Sequence, residues 1–100
     1  MNLDSIFRIK DEVAFRKAND GTMTIVSPVT DKITTINATA TEIWEMIDGN
    51  KSVAVIIDQF LENHSGDNNF PGKETVGKDV KEIIEMFLNR LLIEISGSQL

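Results

Sequence analysis

The chain carries one histidine, His64, with Ser65 directly after it. Acyl-transfer chemistry needs a nucleophile within hydrogen-bond reach of a base that a third group orients. Adjacency along the chain does not supply that geometry, so His64 reads as an exposed loop histidine. Asp67, Asn68 and Asn69 follow, with side-chain oxygens of the kind that ligate calcium. They lack the downstream bidentate Glu at the spacing a calcium loop requires, and a loop is expected here rather than a metal site. Glu42, Glu45, Asp48, Asp58 and Glu62 lie on segments of helical periodicity, where carboxylates usually form a solvated face rather than an acid–base pair. Gly21, Gly49, Gly66, Gly72, Gly77 and Gly97 form neither a Walker loop nor a dinucleotide fingerprint. No cysteine is present, which removes disulfides, thiolate zinc sites, iron–sulfur ligation and a Cys nucleophile together. These residues point to no cofactor, no metal and no catalysis, and so to a binding protein rather than an enzyme.

The elements that position them must come from 100 residues, enough for one domain with one core. Sixteen acidic against 10 basic side chains give a net charge of −6, which counts against a nucleic-acid partner, since phosphate-backbone binding usually shows as a basic surface. No apolar run approaches the roughly 20 residues of a membrane span, and Met1–Phe15 has charges interspersed and no apolar signal region. The expectation is a cytoplasmic protein with no membrane partner.

The first third alternates as strands do. Val13, Phe15 and Lys17 share one face, and Ala14 and Arg16 the other. Asp20-Gly21 then provides a hairpin signal, because both positions tolerate positive φ. Thr22–Val26 is β-branched and returns the chain, Pro28 interrupts it, and Lys32–Ile36 alternates again. Three short strands with tight connections predict an antiparallel meander. Asn37 is a good helix N-cap, and Thr39-Ala40-Thr41-Glu42 offers a second start with capping-box spacing. Ala40, Ile43, Trp44 and Ile47 recur at helical spacing up to Asp48-Gly49, where Gly favours a helix end. Trp44 lies on that apolar stripe and is expected to anchor the core. Ser52 caps a second helix ending near Asn63. His64 to Thr75 is the longest irregular stretch.

A third helix is predicted from about Val76 to Leu92. At about 100° per residue, Val76, Val80, Ile83, Ile84, Phe87 and Leu91 fall within roughly 100°, and Leu88 and Leu92 widen the arc to about 180°. Met86 falls outside it. Leu92-Ile93-Glu94-Ile95 either ends this helix or begins a short strand.

The segment from Ile36 to Gly49 resembles the signature of the PqqD family. The matching positions are Ile36, Asn37, Ala40, Ile43, Trp44, Asp48 and Gly49. Ser52-Val53 stands where that family commonly opens its second helix, Asp79-Val80 where it opens its third, and Leu91-Leu92-Ile93 ends as the family often does. The likeness covers roughly residues 8–95, the expected core of one domain over 1–100. Two departures are the longer loop His64–Thr75 and Val55 in place of a Glu after the second helix's cap.

The resemblance implies an α+β fold, winged-helix-like, with a three-stranded antiparallel β-meander followed by three α-helices. It implies a peptide-recognition element for ribosomally made, post-translationally modified peptides. Such a domain holds the leader of a precursor peptide and presents it to a modifying enzyme, typically a radical S-adenosylmethionine enzyme. The leader would add as a strand beside Lys32, Ile33, Thr34, Thr35 and Ile36, against Val80, Ile84, Met86, Phe87, Leu88 and Leu91 of the third helix. That mode is physically sensible, because an edge strand leaves N–H and C=O groups unpaired and an extended peptide can satisfy them. The same edge would also admit a homodimer. The alternatives are a winged-helix DNA-binding protein, for which Lys78, Lys81 and Arg90 are diluted by Asp79, Glu82 and Glu85, and an adaptor subunit docking another protein through that edge.

Overall fold

The computed structural model describes residues 2–27, 29–66 and 71–98. Its elements in chain order are β1 (Ser5–Ile9), β2 (Ala14–Lys17), β3 (Met23–Ser27), β4 (Lys32–Ile36), α1 (Ala38–Met46), α2 (Val53–Asn63), α3 (Lys73–Asn89) and β5 (Ile93–Ser98). The expected meander is present as an antiparallel sheet of order β2-β3-β4, with three helices after it. Among the described residues no helix is long and apolar enough to cross a membrane.

Register in this sheet follows from which side chains must be dry. Met23 pairs with Ile36 and Ile25 with Thr34, and all four are buried on the inner face. The alternate residues point outward, where Ala14, Val26 and Ile33 form an exposed row across the three strands. A slip of one residue would exchange the two sets, so burial of Met23, Ile25 and Ile36 fixes the pairing. The hairpin between β2 and β3 turns at Gly21, whose φ is +91° and where a Cβ would meet Ala38 Cβ at 3.2 Å. Asp20 Oδ1 accepts from the Thr22 backbone N–H at 3.0 Å and from its hydroxyl at 2.7 Å. These bonds to the ionised form hold the Asp20 carboxyl below its ordinary range.

Asn37 rather than Thr39 caps α1: its Oδ1 accepts from the Ala40 N–H at 2.9 Å. Thr41 Oγ1 donates to the Asn37 carbonyl at 2.8 Å, so the second start is used inside the first turn. Ser52 caps α2 as expected, accepting from Val55 N–H at 3.3 Å. The three helices pack on one another beneath the sheet around Trp44, which is fully buried. Phe15 and Phe87 meet its ring edge-on at 5.5 and 5.0 Å between centroids, an arrangement the ring quadrupoles favour.

Three features differ from the sequence expectation. The last helix begins at Lys73 and ends at Asn89, not at Leu92. Leu91 adopts φ +60°, its N–H donates to the Leu88 carbonyl, and the Leu92 N–H donates to the Phe87 carbonyl, both at 3.0 Å. That is a Schellman end with leucine in the left-handed position glycine normally takes. The supposed loop is therefore shorter at its end, Lys73–Thr75 forming the first turn of α3; Asp67, Asn68 and Asn69 lie outside the described residues. Finally, residues 93–98 form β5, the strand alternative left open for Leu92–Ile95, and it pairs antiparallel with β1, a strand not expected from the sequence, as a second, two-stranded sheet. This sheet joins the chain's two ends, buries Phe7 and Ile93, and is tied to the α1–α2 turn by Gly49 N–H donating to the Phe7 carbonyl at 3.1 Å.

Candidate functional site

β4 is the edge of its sheet, bonded to β3 on one side and, among the described residues, to no strand on the other. α3 runs past that open edge. Between them lie two hollows placed end to end. The upper one, about 530 Å³, lies where β4 passes into α1 and is bordered by Thr35, Ile36, Asp79, Glu82, Ile83 and Met86. The lower one, about 310 Å³, is bordered by Ser27, Lys32, Thr34, Asn89 and Arg90. Together they make a groove whose one wall is a strand edge and whose other wall is a helix face.

The expected site residues divide between this groove and the core. Lys32 and Thr34 border the lower hollow, and Thr35, Ile36 and Met86 the upper one. Ile33 is 69% exposed on the outer face of the sheet, beside Val26. Val80, Ile84 and Phe87 are buried in the core, at 1%, 0% and 0% exposure, and do not reach the groove's surface. They face inward because the centre of the apolar arc is the stripe that packs under the sheet and against α1 and α2. Leu88 is half-buried against the core, and Leu91 is 43% exposed just past the helix end.

Among the groove residues missed as such are Ser27, Asp79, Glu82, Ile83, Asn89 and Arg90. The signal for the helical ones was Met86. At about 100° per residue, Asp79, Glu82, Ile83, Met86 and Arg90 fall in one stripe alongside the apolar arc, and it is this stripe that faces β4. Arg90 Nη1 donates to Thr34 Oγ1 at 3.3 Å, bridging helix end and strand. Ser27 carries no sequence signal, because its placement depends on register with Lys32.

His64, expected as an exposed loop residue, sits at the C-cap of α2, half-buried. Its Nε2 lies 3.0 Å from both carboxylate oxygens of Glu42 on α1, and its ring packs 4.7 Å from that of Phe60. The pair ties the C-cap of α2 to the middle of α1. Among the described residues no three His, Cys, Asp or Glu side chains gather as a metal site. The groove offers main-chain donors and acceptors, a thioether and aliphatic surface, and separate charged ends.

A three-stranded antiparallel meander followed by three helices, with its last strand open against the last helix, defines a small winged-helix-like α+β domain. The family model described as coenzyme PQQ synthesis protein D (PqqD) matches residues 23–93, and the chain belongs to that family. Two solved structures share the fold. One is TbiB1 in complex with the TbiA(beta) leader peptide, with a TM-score of 0.73 at 21% identity, covering 87% of this chain and 94% of that one. The other is the solution structure of the PqqD truncation of Methylobacterium extorquens PqqCD, described as a functional, stand-alone recognition element for ribosomally synthesized and post-translationally modified peptides. It superposes with a TM-score of 0.68 at 12% identity, covering 89% of this chain and 88% of that one. No curated protein matches the chain.

Proposed function

We propose that this chain is a non-catalytic peptide chaperone: it captures the leader of a ribosomally made precursor by strand addition at β4 and presents it to a modifying enzyme. The observation that carries this reading is the open edge of Lys32–Ile36 facing α3 across a groove, in a PqqD-family chain whose structural neighbour TbiB1 was solved with a leader peptide. A radical S-adenosylmethionine enzyme is the partner class we infer. It would bring its own iron–sulfur centre, which suits a chain without cysteine.

Magnitudes show which contacts matter. Each added main-chain hydrogen bond contributes about 0.5–1.5 kcal/mol net, while ordering each peptide residue costs about 1–2 kcal/mol. Pairing along the five residues of β4 therefore at best offsets its own ordering cost. Micromolar affinity, about −8 kcal/mol, must come from side chains. On the inner face these are Thr34, Ile36, Ile83 and Met86, with Leu91 just past the helix end, while Leu88 lies on the opposite side of α3 from the β4-facing stripe; on the outer face Ile33 extends the exposed row to an apolar peptide residue. Val80, Ile84 and Phe87 support the groove from below by fixing α3.

The test is calorimetric titration with the leader of the precursor encoded beside this chain's gene. Micromolar or tighter binding, with a modifying enzyme encoded in the same neighbourhood, is the expected result. Salt-dependent binding of duplex DNA with no response to the leader would replace this reading with the DNA-binding one.

A further inference from the structure

The two ends of the β4–α3 groove carry opposite charge. At the lower end stand Lys32 and Arg90, neither with a carboxylate partner among the described residues. Arg90's one side-chain partner there is the neutral hydroxyl of Thr34. Ser27 borders the same hollow, is 1% exposed, and among the described residues its Oγ has no hydrogen-bond partner. A buried hydroxyl without a partner and a guanidinium satisfied only by a neutral oxygen are groups that an incoming carboxylate would complete, the guanidinium offering a planar fork to two oxygens. At the upper end Asp79 and Glu82 have no cationic partner among the described residues. What marks the lower end is the pairing of two such cations with a buried hydroxyl in one hollow.

From these observations we propose that the peptide held along β4 carries a basic side chain four residues before an acidic one, and that this pair sets its register and direction. The inference rests on the strand-addition reading and states what the added strand must contain. Glu82 and Arg90 are eight helix residues apart, about 12 Å at about 1.5 Å per residue. An extended strand covers that distance in about four residues at about 3.4 Å each. Four is an even number, so both side chains fall on the face of the strand that looks toward α3. Every pairing in this sheet is antiparallel, and an antiparallel addition is the stronger kind. It places the peptide's earlier residues beside Ile36, near Asp79 and Glu82, and its later ones beside Lys32, near Arg90. The basic residue therefore comes first.

Short peptides randomised at every position, displayed and selected on the full chain, test this directly. The selected binders are expected to be enriched in Lys or Arg four residues before Asp or Glu, and to shift the backbone amides of Lys32–Ile36. Changing the acidic residue of a binder to Gln should weaken it about tenfold, as loss of a charge-assisted bond does. Selection on Arg90→Glu should favour a basic residue at the acidic position. Lys32→Glu, at an exposed side chain that leaves Thr34 in place, should weaken the original binders without changing the thermal midpoint. Binders that shift Lys32–Ile36 but show no charge pair, or that bind Lys32→Glu equally well, overturn the charge register and leave strand addition intact. Binders whose shifts miss β4, or a selection that returns none, overturn both.

Discussion

Asp48 shows how one side chain holds the turn on which the fold depends. Its Oδ1 accepts from the backbone N–H groups of Asn50 and Lys51 at 2.9 and 3.1 Å, and its Oδ2 accepts from Lys51 Nζ at 2.6 Å. The Lys51 ammonium first, then the Asn50 amide, hold its carboxyl below the ordinary aspartate range. The folded state thus binds the proton more weakly than the unfolded chain. This contribution to stability is whole above the unfolded value near about 3.9 and is lost as pH falls through the lower folded value. The side chain is 41% exposed, so screening limits the effect to well under about 1 kcal/mol. Urea midpoints at neutral and at strongly acidic pH should fall further for the native chain than for Asp48→Asn. Gly49 follows with φ +84°, and a Cβ there would sit 3.6 Å from Arg8 Cβ, an ordinary contact. The glycine is needed for its backbone conformation, which is why Asp-Gly was readable as a helix end. Trp44, also readable, has a property the sequence could not disclose: its indole N–H is buried and has no partner among the described residues.

At the scale of elements, the end of α3 and the edge of β4 make separate predictions. Leu91 holds a left-handed backbone that costs an L-residue about 1 kcal/mol, and glycine would relieve it. Leu91→Gly should raise the unfolding free energy by about 0.5–1 kcal/mol, read from the shift of the denaturation midpoint, and weaken leader binding, a split that a merely structural residue would not give. In an antiparallel edge strand, alternate N–H groups point to the neighbour and to the open side. Of Ile33→Pro and Thr34→Pro, one should therefore unfold the sheet while the other leaves the circular dichroism spectrum native and abolishes peptide binding. The meander, the caps Asn37 and Ser52 and the order of three helices were all legible, because each rests on local signals: alternation, a capping oxygen, a glycine turn. The groove was legible as an edge but not as a surface. The arc of α3 was counted with Leu91 inside it and widened by Leu88 and Leu92, though Leu91 and Leu92 lie past the helix end, and its apolar centre of Val80, Ile84 and Phe87 was taken for the groove in place of the Asp79–Arg90 stripe. A Schellman end built on leucine leaves no glycine to mark it.

For the molecule as a whole, the sheet of β1 and β5 was the feature least visible in sequence. Its pairing joins Ser5–Ile9 to Ile93–Ser98, a contact between the two ends of the chain that no local pattern announces. Arg8 and Glu94 face each other across it, with Arg8 Nε donating to Glu94 Oε2 at 2.6 Å. Phe7 carries its apolar load, 4% exposed within the same cluster as Trp44 and Phe87. Phe7→Ala should cost about 3–5 kcal/mol, a large share of the roughly 5–15 kcal/mol that holds a small domain. If β1–β5 and the meander share one core, Trp44 fluorescence and far-ultraviolet circular dichroism will lose their transitions together; separated transitions would divide the molecule into two units. The central claim is that β4 and α3 form one binding groove. The most direct measurement is amide chemical-shift mapping of the isotopically labelled chain titrated with the leader of its neighbouring precursor. The largest shifts are expected at Lys32–Ile36 and along Asp79, Ile83, Met86 and Arg90, with new protection of alternate β4 amides from exchange. Shifts confined to β2, or to the α2–α3 face around Asp58 and Lys73, with β4 unchanged, would contradict it.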